Sequence, residues 1–234
     1  MKVAETLLND YYHKFITIEA DDLTDLLKDE IEVEEDDCFA LCSAYCGRDG
    51  LLEFNVLSIG PSWERCTKGL DNNKMLGIFT IDQVFDCECR IPNSDARMIE
   101  KNTPYIEEMD EGWDEDLLST RLDARLDDLR DLFYPDVVLT GIILENHLTE
   151  YMMRITGVKG PFLVGKLYEE PNEDIGLHYD DTIFSLAYSM NNECHLFALF
   201  AGENLSEDEI EVRDRIIQEM DKAGIRFNGI SFKN

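Results

Sequence analysis

The alternation of apolar and polar positions along the chain predicts short strands interspersed with a few helices. Near the N-terminus, apolar residues recur at helical spacing from Leu7 to Phe15, which predicts an amphipathic helix over residues 3–15. A second short helix is predicted over residues 21–29. Runs rich in β-branched and aromatic residues, bounded by Gly, Pro, Asn and Asp, then predict three strands, at residues 51–60, 75–81 and 83–91.

A longer helix is predicted in the middle of the chain, from Asp114 to Phe133. Its leucines follow one another in steps of three and four and so form one apolar stripe. Its first turn is acidic, which suits the positive end of the helix dipole, and Pro135 ends it. A shorter helix is predicted upstream, capped by Ser94 and continuing to Lys101.

The C-terminal half is dominated by apolar runs of strand length. Five of them follow one another closely, at residues 137–144, 150–157, 162–168, 182–189 and 195–201. The short segments between them predict hairpins, and hence a meander or a partly open barrel. Ser206 and Glu209 then form a capping box for a last helix that Gly224 ends, and residues 225–232 predict a final strand.

This mixture of short strands and a few helices, without strand–helix–strand alternation, predicts an α+β fold of antiparallel sheets with packed amphipathic helices. The segment from Glu107 to Asp116 holds seven acids and no base, which is typical of an exposed linker. We place a domain boundary there. The prediction is an N-terminal α+β domain over residues 1–106 and a C-terminal α+β domain, containing the antiparallel sheet, over residues 107–234. A single domain is the alternative.

Acidic residues dominate the charge, because 51 Asp and Glu against 21 Lys and Arg give a net charge of −30. Such a surface repels nucleic-acid phosphates and anionic lipids and attracts basic proteins. Solubility, or adaptation to high salt, would explain the same excess. No stretch reaches the ~18 apolar residues of a membrane span, and the first residues lack the apolar run of a secretory signal. We therefore expect a cytoplasmic protein that binds neither nucleic acid nor membrane.

Two acidic segments are candidate partner-binding surfaces. Between Glu19 and Asp37 there are eleven acids against Lys28 alone, and the second segment is the acidic linker. A solvated loop would show the same composition, so both explanations stay open. The residues expected to contact a partner are Glu34, Glu35, Asp36, Asp37, Glu107, Glu108, Asp110 and Glu111.

His178 and Asp180 form a His-x-Asp pair, which supplies two of the three ligands that bind iron in non-haem oxygenases. That family needs a second histidine much further along the chain, followed by an arginine. Here the only later histidine is His195, and it begins an apolar run. The flanking Gly, Asn and Asp residues instead predict a turn between two strands, without a metal.

The surrounding segment has a regular order of elements. A strand YMMRITG is followed by a strand FLVGKLYEEP, a loop ending in IGLHYDD, and a strand TIFSL. Residues 150–184 thereby resemble a small β-barrel module of uncharacterised bacterial proteins, and some such modules look like those of immunity proteins that neutralise toxins. The resemblance implies a small barrel and, for the immunity-type members, a protein partner.

Cysteine spacing offers a further candidate site. Cys38, Cys42 and Cys46 are four residues apart, and Cys87 and Cys89 could complete a zinc set with the last two. Structural zinc sites usually show a close cysteine pair on both arms, which this spacing lacks. Seven cysteines at irregular intervals also do not indicate a disulfide framework. We favour small buried cysteines and expect no metal and no cofactor.

The sequence is also poor in catalytic motifs. It has no G-x-S-x-G elbow and no glycine-rich phosphate loop. We therefore expect an acidic binding protein, of immunity type if the resemblance holds, that acts on a basic protein partner without catalysis. The alternative is a divalent-metal-dependent hydrolase that uses carboxylates and His178.

Overall fold

The computed structural model describes most of the chain. The described residues are 1–27, 31–68, 75–92, 110, 112–144, 147–173, 175–190 and 193–201, with single positions at 214, 215, 218 and 222. The α+β class is confirmed. The predicted helices over residues 94–101 and 206–224 and the predicted strand over residues 225–232 lie outside the described residues, apart from those single positions.

Contacts divide the chain into two compact units. The first, which we call the sheet unit, comprises Met1–Trp113, Arg121–Asp127 and Leu132–Pro135. The second, the barrel unit, comprises Asp114–Thr120, Asp128–Asp131 and Asp136–Asn234. The domain boundary predicted between residues 106 and 107 stays a prediction.

The sheet unit is built on five antiparallel strands in the order β4-β3-β2-β1-β5. These strands are β1 Phe15–Glu19, β2 Phe39–Cys46, β3 Leu52–Gly60, β4 Gly77–Thr80 and β5 Glu88–Arg90. The short helices of this unit are α1 Leu8–Tyr11, α2 Leu23–Leu27, α3 Trp63–Lys68 and α4 Ile81–Val84, with a 3-10 turn at Val3–Glu5.

Both faces of this sheet are buried because its strands carry apolar residues on each side. One face contributes Ile16, Cys42, Phe54 and Phe79 to the main core. On the opposite face a smaller cluster joins Phe15, Phe39, Leu41 and Leu57 to Cys66 of α3. Near-continuous apolar runs of this kind are expected of strands that are covered on both sides.

The outer edge of β5 is paired with the first residues of the chain. The N–H of Val3 donates to the carbonyl of Cys87 at 3.0 Å, and the N–H of Cys89 donates to the carbonyl of Met1 at 2.7 Å. Lys2 and Glu88 also form a bridge. The N-terminal residues thus satisfy backbone groups that an edge strand would otherwise expose.

The barrel unit contains a closed five-stranded barrel in the order β10-β6-β7-β8-β9. Its strands are β6 Val137–Leu144, β7 His147–Lys159, β8 Phe162–Leu167, β9 Thr182–Met190 and β10 Glu193–Ala201. Four neighbouring pairs are antiparallel, as the predicted meander requires. The barrel is closed rather than partly open, because β10 also pairs with β6, and this pair is parallel.

Two of the predicted helices are shorter than their hydrophobic patterns indicate. Residues 3–15 contain only the 3-10 turn and α1, and Phe15 begins a strand. The break follows from His13, whose φ of 57° leaves the helical region, and from the β-branched run after it. The prediction of a helix over residues 3–15 was therefore wrong in extent.

The predicted helix from Asp114 to Phe133 is likewise divided. Helix α5, Glu115–Arg121, ends before a 3-10 segment, Ala124–Leu129. The Asp123 carboxylate accepts the N–H of Arg125 at 3.1 Å, a local bond that competes with helix continuation. Leu122 of the predicted stripe is consequently 50% exposed.

The predicted strand over residues 83–91 is also wrong at its beginning. Thr80 and Gln83 form a capping box, so that α4 occupies Ile81–Val84. Strand structure is confined to Glu88–Arg90.

Candidate partner-binding site

The acidic residues that precede β2 form a tight turn. The carbonyl of Glu34 accepts the N–H of Asp37 at 3.1 Å, and the Asp37 carboxylate accepts the N–H of Glu34 at 3.3 Å. The side chains of Glu34, Glu35 and Asp36 are exposed, and that of Asp37 is half-buried. The turn therefore fixes four neighbouring carboxylates on one short stretch of backbone.

This acidic turn borders an open cleft of about 720 Å³ in the sheet unit. Four acids, one base and an apolar wall line the cleft: Glu32, Glu34, Asp36, Asp37, Arg65, Ile31, Ile59, Pro61 and Leu76, with Gly60 beside them. The side chains of Ile31, Ile59 and Leu76 also pack against the main core. The apolar wall is thus the half-exposed margin of that core, and the acids line the same opening.

The structure brings together part of the site that the sequence predicts. Glu34, Asp36 and Asp37 line the cleft, whereas Glu35 is exposed on the same turn but does not line it. Glu32 also lines the cleft but was not among the predicted residues. The sequence of an acidic run does not show which of its side chains lie on the same side. The apolar wall was missed as well, because its residues come from three separate segments of the chain. Ile31 precedes β2, Ile59 and Pro61 lie between β2 and α3, and Leu76 follows α3.

Asp110, the described member of the second acidic segment, is held inside the sheet unit. Its carboxylate lies 2.7 Å from Nε2 of His13, and its other oxygen accepts the Tyr12 hydroxyl at 3.4 Å. The fully buried Arg121 donates to that hydroxyl at 3.2 Å and lies over the ring of Trp113. The Asp110 side chain is only 16% exposed. Three predicted residues lie outside the described residues: Glu107, Glu108 and Glu111.

His178 lies in a turn of the barrel unit, as the sequence predicts. The N–H of Asp181 donates to the carbonyl of His178 at 3.0 Å, and the N–H of His178 donates to the Asp181 carboxylate at 2.8 Å. Asp180 has a φ of 68°, the left-handed conformation that a turn at this position tolerates in Asp.

A carboxylate outside the turn holds it in place. Glu170 contacts Nδ1 of His178 at 2.8 Å and accepts the N–H of Tyr179 at 2.7 Å. The hydrogen bond from His178, with that from Tyr179, holds the pKa of Glu170 below its usual value. His178 is therefore engaged with a neighbouring carboxylate at the surface, where its side chain is 71% exposed.

The cysteines of the sheet unit are distributed between its two apolar clusters. Cys42, Cys46 and Cys89 belong to the main core, and Cys66 to the smaller one. Burial raises the pKa of Cys66 and of Cys89 to about 11 and that of Cys42 well above its usual value. Thiols that stay protonated near neutral pH behave as small apolar side chains. Among the described residues, no group of three His, Cys, Asp or Glu side chains is placed to hold a metal ion.

A second, smaller acidic cleft of about 430 Å³ lies in the same unit. It is lined by residues from the end of β1, from α2 and from the turn before β5, including Glu19, Asp21, Asp22, Asp86 and Glu88. Two of these acids are already paired, because Lys2 contacts Asp86 at 3.0 Å and the terminal amine contacts Glu88 at 3.6 Å. Its charge is thus partly neutralised by the protein itself.

Comparison of the chain with family models, with curated proteins and with solved structures finds no match. Within the part of the chain that the structure describes, none of the helices is long and apolar enough to span a membrane.

Proposed function

We propose that this protein acts by binding a basic segment of a protein partner, without catalysis, at the acidic cleft between the Glu34–Asp37 turn and α3. The single observation that carries this proposal is the mixed lining of the cleft, which combines four acidic residues, an apolar wall and a single arginine. A basic segment with one apolar side chain would satisfy both surfaces.

Charge and apolar contact have different roles in such binding. A net charge of −30 raises the association rate of a basic partner, because opposite charges attract before the two proteins touch. Salt screens this attraction, and at ~0.15 M it extends over a Debye length of about 8 Å. The apolar wall would then slow dissociation, since burial of apolar surface is the larger source of affinity.

The kind of partner follows from the resemblance of residues 150–184 to immunity-type modules. If the chain is of that type, the partner is a basic toxin whose action it blocks. The alternative, a divalent-metal-dependent hydrolase using carboxylates and His178, stays a prediction.

The test compares two variants of equal charge. In the first, E34Q/E35Q/D36N/D37N, the turn loses four charges but keeps its hydrogen-bond acceptors. In the control, D49N/D82N/E150Q/E173Q, four exposed acids outside both acidic clefts are neutralised. The probe is a fluorescein-labelled heptapeptide in which lysine alternates with valine or leucine, and binding is followed by fluorescence anisotropy and stopped flow at increasing salt.

We expect the first variant to weaken binding by about tenfold or more, mainly through a slower association rate, and the control to change it by less than about twofold. Circular dichroism should show both variants folded. Equal weakening by the two variants would mean that the charge acts diffusely, and an association rate indifferent to salt and to the first variant would reduce the acidic turn to a solubility feature. Either result would overturn the proposal.

A further inference from the structure

Helix α3 is held closely against the end of β3. The Ser58 hydroxyl donates to the carbonyl of Cys66, whose buried side chain lies in the smaller apolar cluster. A Cβ on Gly60 would lie 3.1 Å from the backbone nitrogen of Cys66 and 3.2 Å from Cβ of Arg65, so the glycine permits this close approach. The backbone of Arg65 is thereby fixed at the cleft, which its exposed side chain lines.

The pairing of its bases distinguishes this cleft from the second acidic cleft. Among the residues that the structure describes, no ion pair joins the Arg65 guanidinium to a carboxylate. At the second cleft, by contrast, Lys2 contacts Asp86 at 3.0 Å and the terminal amine contacts Glu88 at 3.6 Å. The first cleft therefore presents charges of both signs to an occupant, with acids from the segment before β2 and a base from α3.

Charges of both signs restrict the occupants that the cleft favours. A segment with bases alone would satisfy the acids but would bring a like charge to Arg65, which is unfavourable. One carboxylate among the bases removes that repulsion, and the planar guanidinium can hold it with two parallel hydrogen bonds. A terminal carboxylate is usually bound by backbone N–H groups. Here the N–H groups of Arg65 and Cys66 already donate to the carbonyl of Ser62, at 3.0 and 3.1 Å, so a side-chain carboxylate fits the cleft better.

We infer that Arg65 selects a basic segment that also carries one Asp or Glu side chain. The guanidinium binds this carboxylate, while the acids of the cleft bind the Lys or Arg residues of the segment. Such selection excludes as well as attracts, because a segment that lacks the carboxylate leaves a cation facing Arg65. This inference rests on the proposed function and adds the chemistry of the partner, which is of mixed charge rather than uniformly basic.

The experiment measures the coupling between Arg65 and a carboxylate of the peptide. The probe is the labelled heptapeptide with an amidated C-terminus, in which each apolar position in turn is replaced by glutamate or, in a matched peptide, by glutamine. A further peptide keeps the original residues and has a free C-terminal carboxylate. Fluorescence anisotropy gives the affinity of each peptide for wild type, for R65Q and for the control R48Q, which removes an exposed base outside both clefts. Each set of four affinities forms a double-mutant cycle.

At one of these positions, we expect the glutamate peptide to bind wild type about fivefold or more tightly than its glutamine match. In R65Q this difference should fall below about twofold, because the carboxylate loses its partner, whereas in R48Q it should persist. Circular dichroism should show both variants folded, since both arginine side chains are exposed.

If glutamate gives no advantage at any position, or an advantage that R65Q preserves, the inference is wrong. The proposed function then survives, provided that binding of the peptides still depends on the acidic turn. An advantage that only the free C-terminal carboxylate gives, and that R65Q abolishes, would overturn the choice of a side chain. If no peptide of the series binds wild type, or if binding ignores the acidic turn, both proposals fail.

Discussion

The two units of the molecule manage the edges of their sheets in opposite ways. In the barrel unit, pairing of β10 with β6 closes the sheet on itself, and the barrel has no edge strand to protect. In the sheet unit, the N-terminal residues cover one edge; at the other, among the described residues, β4 pairs with residues 53–56 of β3, and Ile59 and Gly60 of β3 line the acidic cleft. Because the acidic cleft lies in the sheet unit, we place the proposed partner site there.

Both units bury polar side chains among their apolar ones, such as Asn55 in the sheet unit. In the barrel the buried polar side chains include a pair from two strands that are not neighbours, because the hydroxyls of Thr140 on β6 and Ser185 on β9 lie 2.8 Å apart. Closure leaves little room in so small a barrel, and the strands approach closely at Gly165.

The largest effect is expected where closure leaves no space for a side chain. A Cβ on Gly165 would lie 2.5 Å from Cγ of Met153 and 2.6 Å from the carbonyl oxygen of Arg154. We expect G165A to lower the free energy of unfolding by about 3 kcal/mol, because β7 and β8 must separate to admit the methyl group. Urea denaturation measures this change.

Gly157 provides the matched control on the neighbouring strand. A Cβ there would meet nothing within 4 Å. G157A should leave stability within about 1 kcal/mol of wild type, on the stabilising side, since alanine restricts the unfolded chain. Equal losses in G165A and G157A would contradict the tight closure of the barrel.

A smaller effect is expected from the polar pair inside the barrel. In T140V the hydroxyl is replaced by a methyl of similar size, and the buried Ser185 hydroxyl keeps only its weak bond to Sδ of Met153, at 3.4 Å. We expect a loss of about 1–3 kcal/mol, measured by urea denaturation, because a poorly satisfied buried hydroxyl retains most of its desolvation cost. The double variant T140V/S185A should lose less than the sum of the two single variants. Strict additivity would show that the two hydroxyls do not interact.

The sequence predicted the barrel strands better than the helices, and the reason is physical. Strands β6 and β9 carry compact apolar runs bounded by turn residues, and such runs have little choice of structure. The helical pattern of residues 114–133 was broken by the local hydrogen bond at Asp123, which no periodicity reveals. The parallel closure of the barrel joins residues far apart in sequence, so spacing carries no signal for it.

The candidate site shows the same limit. The acids of residues 34–37 were found because a dense charge run is visible in the sequence. Their apolar counterpart was not, since Ile59 and Leu76 look like ordinary strand residues until β3 is seen to extend beyond β4. Asp110 shared the acidic composition of its segment, yet the fold buries it against His13. Composition predicts the charge of a surface, whereas only the fold decides which charges stay exposed.

The smallest effect is expected at the His178 turn, which sharpens the comparison because it is an exposed acidic surface in the barrel unit. His178 holds the pKa of Glu170 below its usual value, chiefly through the hydrogen bond between them. The lowered pKa means that this contact stabilises the folded state above the pKa that Glu has in the unfolded chain. The stabilisation is lost as pH falls through the lower, folded-state value.

In H178A the pKa of Glu170 should therefore rise towards its usual value, which a ¹³C NMR titration of the carboxyl carbon would measure. The N–H of Tyr179 still donates to Glu170 in that variant, so the turn should keep its shape. Because both side chains are largely exposed, stability near neutral pH should hardly change, and binding of the basic heptapeptide should be unaffected. A clear loss of peptide affinity in H178A would instead assign recognition to the barrel unit and reverse the contrast between the two units.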